Sequence, residues 1–183
     1  MQASHPLNER YAASVPVFSH YLRQLLLMLD KARQHAGGDE AALLRARLAP
    51  DMFDLVRQVQ IAAGFAQRGC APLAGLLPPS LGEGDAGDLD QLQQRVGRAL
   101  AFIEGLDPAA IEASAGQRIR AQAGDAWLEF EAGEFIRLYA LPNFFFHLGM
   151  AYALLRRAGV PLGKPDFDGF HRYPAGFSFP QAV

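Results

Sequence analysis

Residues 141–163, LPNFFFHLGMAYALLRRAGVPLG, decide the fold of this chain. Their apolar density predicts a helix that is buried on most sides, because three consecutive phenylalanines point in directions about 100° apart. Arg156 and Arg157 suit the negative end of the helix dipole, and Gly159 suits a left-handed cap after it. The apolar run from residue 134 is compatible with the same helix, so we predict one long helix that is kinked at Pro142.

Polar side chains interrupt this apolar helix on one face. Asn143 and His147 are four residues apart and therefore share a face, which continues to Met150. Two groups that can hydrogen-bond or coordinate a ligand are thus expected to point into the core. Gly149 permits close approach of a neighbouring helix or of a ligand, and we favour the helix contact.

The composition limits the classes of function. A chain of 183 residues, half of them hydrophobic, is long enough to bury one core and is predicted to form one domain. A net charge of −2 gives no reason to expect a nucleic acid or an anionic membrane as partner. The single Cys70 is predicted to be a small apolar residue in a reducing compartment. The N-terminus lacks the layout of a secretion signal and the apolar runs are interrupted, so we predict a cytoplasmic protein.

Three further amphipathic helices are predicted before residues 141–163. Their apolar residues follow the helical period, and a polar residue that can cap the helix stands at each start. These predicted caps are Ser14, Asp51 and Asp88. Asp54 and Gln58 are four residues apart in the second of these helices, and periodicity leaves open whether they face His147 or solvent.

The remaining segments complete the predicted architecture. Alternating apolar and polar residues over 118–131, around a Gly-Asp turn, predict a two-stranded hairpin. We therefore predict an all-α fold with a small β-hairpin before the last helix. The domain is predicted to cover residues 14–163, with a loose N-terminal extension over 1–13 and an irregular C-terminal tail over 164–183.

Three stretches of this sequence carry a family resemblance. They are SVPVF at residues 14–18, LAPDMFDLVRQVQIA at 48–62 and LPNFFFHLGMAYALLRRAGVPLGK at 141–164. With the order of the elements, they resemble an uncharacterised DUF-type family of the DinB/YfiT-like superfamily of four-helix bundles. The resemblance extends over residues 11–167. It implies an up-down-down-up bundle that usually forms a homodimer.

The resemblance also implies a possible metal site. Many members of the superfamily hold nickel or zinc with one histidine of the second helix and two histidines, four residues apart, of the fourth. Here His147 matches the last ligand, Asn143 stands at the position of the first, and the second-helix position falls at or near Gln58. Carboxamides are weak ligands for late transition metals, so we expect no resident cofactor, with a nickel or zinc ion at His147 as the alternative.

Without a metal, the polar residues have two possible roles. A buried hydrogen-bonded network would set the register of the helices. Alternatively, the polar residues would form one end of a phenylalanine-lined pocket, in which His147 binds or deprotonates a small ligand. A second proton carrier there would be a tyrosine or an aspartate. The candidate pocket residues are His147, Asn143, Gln58, Asp54 and Tyr152.

Three classes of function are compatible with these residues. The chain could be a small-ligand-binding or stress-related homodimer, a metal- or histidine-dependent hydrolase or transferase, or a structural dimerisation module. No G-x-S-x-G, H-E-x-x-H or C-x-x-C motif supports a standard serine hydrolase, zinc protease or redox enzyme. We favour the ligand-binding homodimer, with a small apolar ligand near His147, and leave open whether the protein is an enzyme.

Overall fold

The computed structural model of the protein describes residues 9–82, 84, 86–174 and 177. Within this part of the chain, four helices are long enough to form the walls of a bundle: α2 (Val15–Ala36), α4 (Leu55–Cys70), α5 (Leu89–Glu104) and α8 (Leu141–Arg157). Helix α2 packs on α5, α5 packs on α4, and α4 packs on α8. The predicted mostly helical fold is confirmed, while the up-down-down-up direction of the four helices stays a prediction.

Short elements connect the long helices. They are α1 (Glu9–Ala12), α3 (Ala41–Leu44), a 3-10 turn (Ala71–Ala74), α6 (Pro108–Glu112) and α9 (Lys164–Asp168). Helix α1 lies in the predicted loose extension, of which residues 1–8 are outside the described part. Helix α9 lies in the predicted irregular tail, of which residues 175, 176 and 178–183 are outside it.

Local hydrogen bonds explain the helix that the sequence analysis missed in the tail. The Asp166 carboxylate accepts a hydrogen bond of 2.7 Å from the N–H of Gly163, just before α9, and forms an ion pair of 2.7 Å with Lys31 of α2. After α9, Gly169 has a φ of +73°, which favours glycine. The tail therefore starts with one ordered turn that is tied to α2.

The last long helix is continuous from Ala132 to Arg157, but a segment near its start is wider than an α-helix. After α7 (Ala132–Glu134), residues Phe135–Ala140 form a π-helical segment that leads directly into α8. Pro142 has no N–H and its ring would collide with the carbonyl of an α-helix four residues earlier. A π-helical segment before the proline is one way to absorb this conflict, and the kink at Pro142 stays a prediction.

The same helix is long and apolar enough to cross a membrane, by length and composition only. The helix Ala132–Arg157 has 26 residues, and an 18-residue window within it has a mean hydropathy of 1.3. We expected the apolar runs to be too interrupted for this, so that expectation was wrong for length and composition. The helix contacts α4 and α2 through its apolar side chains, as the core helix of a soluble bundle also does.

The predicted hairpin is present as β1 (Arg118–Ala123) and β2 (Ala126–Glu131). The strands are antiparallel with Ala123 opposite Ala126, and Gly124 in the turn has a φ of +60°. The Tyr139 hydroxyl of the π-helical segment donates a hydrogen bond of 2.9 Å to the Gln122 carbonyl. This bond ties the hairpin to the last helix.

Side chains of the core pack closely where α2, α4 and the last helix meet. Phe18 of α2 and Phe144 of α8 are fully buried and touch edge to face, with ring centroids 4.9 Å apart. A Cβ on Gly69 of α4 would lie 3.0 Å from Ala140 and from Phe18. Gly69 therefore makes the close helix contact that we expected at Gly149, where a Cβ would meet nothing within 4 Å.

Candidate functional site

His147 and Gln58 meet between α8 and α4. The Nδ1 of His147 lies 2.8 Å from the Oε1 of Gln58, whose side chain is almost fully buried. The Gln58 amide nitrogen donates to the Phe53 carbonyl at 3.4 Å, so its oxygen is the atom that faces the imidazole. Nδ1 of a neutral His147 must then carry the proton, which leaves the lone pair on Nε2.

The imidazole of His147 has an aromatic environment. It stacks on Phe65 of α4 with a centroid distance of 5.9 Å and lies edge to face with Phe146 at 5.1 Å. Burial and, to a smaller extent, the positive charge of Arg68 lower the pKa of His147 below its ordinary value. His147 is therefore a neutral imidazole at physiological pH.

The lowered pKa of His147 predicts a pH-dependent stability. As the pH falls below 6.5, the unfolded chain takes up the proton before the folded protein does. Stability is thus fully present above this pH and declines as the pH falls through the folded pKa. In thermal unfolding between about pH 7.5 and 5, the midpoint of wild type should fall more than that of His147→Phe. His35→Gln, which changes an exposed histidine, is the control, and equal pH dependence of wild type and His147→Phe would contradict the prediction.

Asn143 does not bond to His147. Its amide nitrogen donates a hydrogen bond of 2.8 Å to the carbonyl of Tyr139, one turn earlier in the helix. This places an additional donor on a carbonyl of the π-helical segment, close to Pro142. The shared helical face that we predicted for Asn143 and His147 therefore brings no direct contact between them.

Asp54 is the N-cap of α4 and not a residue of the site. Its carboxylate accepts hydrogen bonds of 3.0 Å from the Arg57 N–H and from the Arg47 side chain. The predicted cap, Asp51, lies in the preceding turn, because the chain becomes extended at Asp54 and starts the helix only there. The hydrogen bonds given for the Asp54 carboxylate therefore go to the start of α4 and to Arg47, and not to His147.

Tyr152 also lies outside the cluster around His147. Its ring packs edge to face on Phe167 of α9, with a centroid distance of 5.6 Å. It stands five positions after His147, which turns the side chain to another side of the helix. Of the five candidate pocket residues, the structure thus joins only Gln58 and His147 directly.

The donor atoms do not fit a nickel or zinc site. Among the described residues, no group of three His, Cys, Asp or Glu side chains could hold a metal ion. The Gln58 oxygen is already bonded to His147, and the Asn143 amide is bonded to the helix backbone. Cys70 is buried, which raises the pKa of its thiol and leaves it protonated.

A cleft of about 530 Å³ lies next to this cluster. It is bounded by the end of α4, the 3-10 turn, the loop at Leu76–Pro78, the hairpin and the π-helical segment. Phe65 and Tyr139 line the cleft and also contact His147 and Asn143, respectively. His147 is therefore separated from the cleft by the Phe65 ring.

The sequence analysis missed the cleft. Its polar groups come from separate segments, with Arg68 on α4 and Arg120 and Gln122 on β1. Its remaining aromatic residues are Phe135 and Trp127, which we treated as parts of a helix and a hairpin only. Trp127 at a solvent-exposed position of a strand was the one signal that could have indicated it.

Comparison with known proteins assigns the family. The profile of a domain of unknown function, DUF1993, matches residues 10–168, while no curated protein matches the chain. The chain is similar to the crystal structure, at 1.83 Å resolution, of a DinB family member protein from Shewanella denitrificans. The two share 36% identity over 90% of this chain and 94% of that one, with a TM-score of 0.78. The protein therefore belongs to the DUF1993 family, within the DinB-like superfamily.

Proposed function

We propose that this protein binds a small molecule in the cleft between α4, the hairpin and the π-helical segment. The observation that carries the proposal is the cleft itself, whose volume of about 530 Å³ lies in the range of small-molecule sites. Aromatic and aliphatic side chains form most of its lining, with a few polar groups among them. Ligand sites of soluble proteins have this composition.

The hydrogen bond between His147 and Gln58 has a supporting role in this proposal. It joins α8 to α4 directly behind Phe65, whose ring forms part of the cleft. The partner that orients the imidazole is an amide and not a carboxylate, and the cleft offers arginine and amide groups, which are poor ligands for nickel or zinc. The proposal therefore includes no cofactor and no catalytic step.

Binding of N-phenyl-1-naphthylamine, an uncharged aromatic fluorophore, tests the proposal. Its fluorescence should rise on addition of wild type and saturate at one molecule per chain. Ala121→Phe should weaken binding at least about tenfold, because Ala121 lines the cleft and a phenyl group there removes part of the volume. Circular dichroism of the variant checks that it folds. No saturable binding, or equal binding to Ala121→Phe, would contradict the proposal.

We further propose that the protein forms a homodimer through the exposed side of the last helix. Leu138, Pro142 and Phe146 follow one another at intervals of four residues, and the side chains of Leu138 and Phe146 are 68% and 55% exposed. An apolar stripe of this kind is typical of an association surface. The family resemblance also implies a homodimer.

Light scattering coupled to size-exclusion chromatography tests the homodimer. Wild type should have twice the mass of one chain, and Leu138→Glu/Phe146→Glu should have the mass of a monomer, because buried unpaired carboxylates disfavour the interface. Leu27→Glu, which changes an equally exposed leucine of α2, is the control and should remain a dimer. A monomeric wild type would contradict the proposal.

Composition supports a proposal for the cell compartment and for the classes of partner. A buried, protonated Cys70 without a cysteine partner suits a reducing compartment, and we propose a cytoplasmic location. A net charge of −2 supports neither nucleic acid nor an anionic membrane as partner.

A further inference from the structure

The cleft carries positive charge without compensation from acidic residues. Arg68 and Arg120 line it, and no aspartate or glutamate does so among the described residues. Neither arginine forms an ion pair with a described carboxylate, in contrast to Arg118 on the same strand, which lies 3.6 Å from Glu129. An organic cation would therefore meet repulsion in this cleft, whereas an anion would meet attraction.

Both guanidinium groups lie over aromatic rings. The Arg68 guanidinium carbon is 4.3 Å from the centroid of Phe65, and that of Arg120 is 4.4 Å from Trp127. Stacking holds a planar guanidinium by its face and leaves the N–H groups at its edge free to donate. The cleft thus presents two oriented donors beside an aromatic surface.

The Arg68 side chain is held in place by one hydrogen bond and keeps further N–H groups that can donate to a ligand. Its Nε donates a hydrogen bond of 3.2 Å to the Gly64 carbonyl, whereas its Nη atoms have no acceptor among the described residues. Partial desolvation over Phe65 lowers the pKa of Arg68, although it stays charged at physiological pH. A bound anion would offset this loss of hydration.

The mouth of the cleft is apolar. Leu76 and Leu77, in the loop after the 3-10 turn, are 50% and 91% exposed, and Trp127 on the opposite hairpin is 56% exposed. These side chains would be shielded from water by the apolar body of a ligand, and the hydrophobic effect would favour that contact. The positive charge of the cleft and its apolar mouth therefore favour a ligand that has both an acid group and an apolar body.

We propose that the ligand class is a small organic anion with an aromatic body, whose acid group binds Arg68 and Arg120 while its rings lie against Trp127 and the two leucines at the mouth of the cleft. This proposal rests on the proposed function, because it assigns the chemistry of the molecule that occupies the same cleft. The acid group makes charge-assisted hydrogen bonds, and the rings cover the exposed apolar mouth.

A matched pair of fluorophores tests the charge separately from the cleft. 8-Anilinonaphthalene-1-sulfonate has the same ring skeleton as N-phenyl-1-naphthylamine and carries a sulfonate in addition. Wild type should bind the sulfonate at least about tenfold more tightly than the uncharged compound. Added sodium chloride should weaken binding of the sulfonate alone, because salt screens exposed charges.

Arginine variants assign the effect to residues. Arg68→Gln and Arg120→Gln should each weaken binding of the sulfonate about tenfold and leave binding of the uncharged compound within about twofold. Arg118→Gln and Arg57→Gln are matched controls on β1 and α4, because both remove a positive charge outside the lining of the cleft, and they should change neither affinity.

The outcomes separate the two proposals. Saturable binding of the uncharged compound with no preference for the sulfonate would overturn the anion proposal and retain the cleft as a ligand site. Equal weakening of both compounds by the arginine variants would overturn it as well. If Ala121→Phe leaves binding of the sulfonate unchanged, or if neither compound binds, both proposals fail.

Discussion

Phe144→Ala is expected to lower the free energy of unfolding by about 3–5 kcal/mol. Phe144 is fully buried and its ring packs edge to face on Phe18, so truncation removes apolar contacts from both α8 and α2 and leaves a cavity. For a chain of this length, the loss corresponds to a fall in the thermal midpoint of about 6–20 °C. Chemical denaturation and calorimetry measure it directly.

Phe53→Ala is the matched control for this truncation. It removes the same atoms, but Phe53 lies in the turn before α4 and is 52% exposed. We expect a change within about 0.5 kcal/mol, as for other surface substitutions. If the two alanine variants have the same stability, the buried position of Phe144 described above is wrong.

His147→Phe is expected to lower the free energy of unfolding by about 1–3 kcal/mol, because the buried Gln58 oxygen loses the donor that satisfies it. Adding Gln58→Leu should recover part of this loss, since replacing both partners by apolar groups leaves no unpaired polar atom at that position. The double variant should therefore be more stable than the sum of the single variants predicts, by about 0.5–3 kcal/mol. A double-mutant cycle in urea measures this coupling.

Gln60→Leu in place of Gln58→Leu provides the control cycle. Gln60 is on the same helix and also mostly buried, but its amide donates to the Gly84 carbonyl at 3.3 Å and not to His147. Its effect should add to that of His147→Phe within about 0.5 kcal/mol. Additivity in both cycles would show that the bond between α4 and α8 contributes nothing to stability.

The candidate site was predicted from the sequence in part. Spacing alone placed His147 on an inward face, and the family resemblance pointed to Gln58, so their meeting was expected. The same reasoning left open whether Asp54 faces His147 or solvent, because periodicity defines a face but not the residue at which the chain turns into α4. Tyr152 lies outside the cluster around His147, because its ring packs on Phe167 of the tail.

Local sequence determined the elements of this protein, since helical period, polar residues at helix starts and a Gly-Asp turn act over a few residues and already favour four long helices and a hairpin. The tertiary structure alone decided which residues share a surface. The cleft joins Arg68 to Arg120, 52 positions apart, and Gly69 rather than Gly149 provides the close contact between helices. Such contacts depend on how the packed elements fit together, and that fit is a property of the whole core that no single segment encodes.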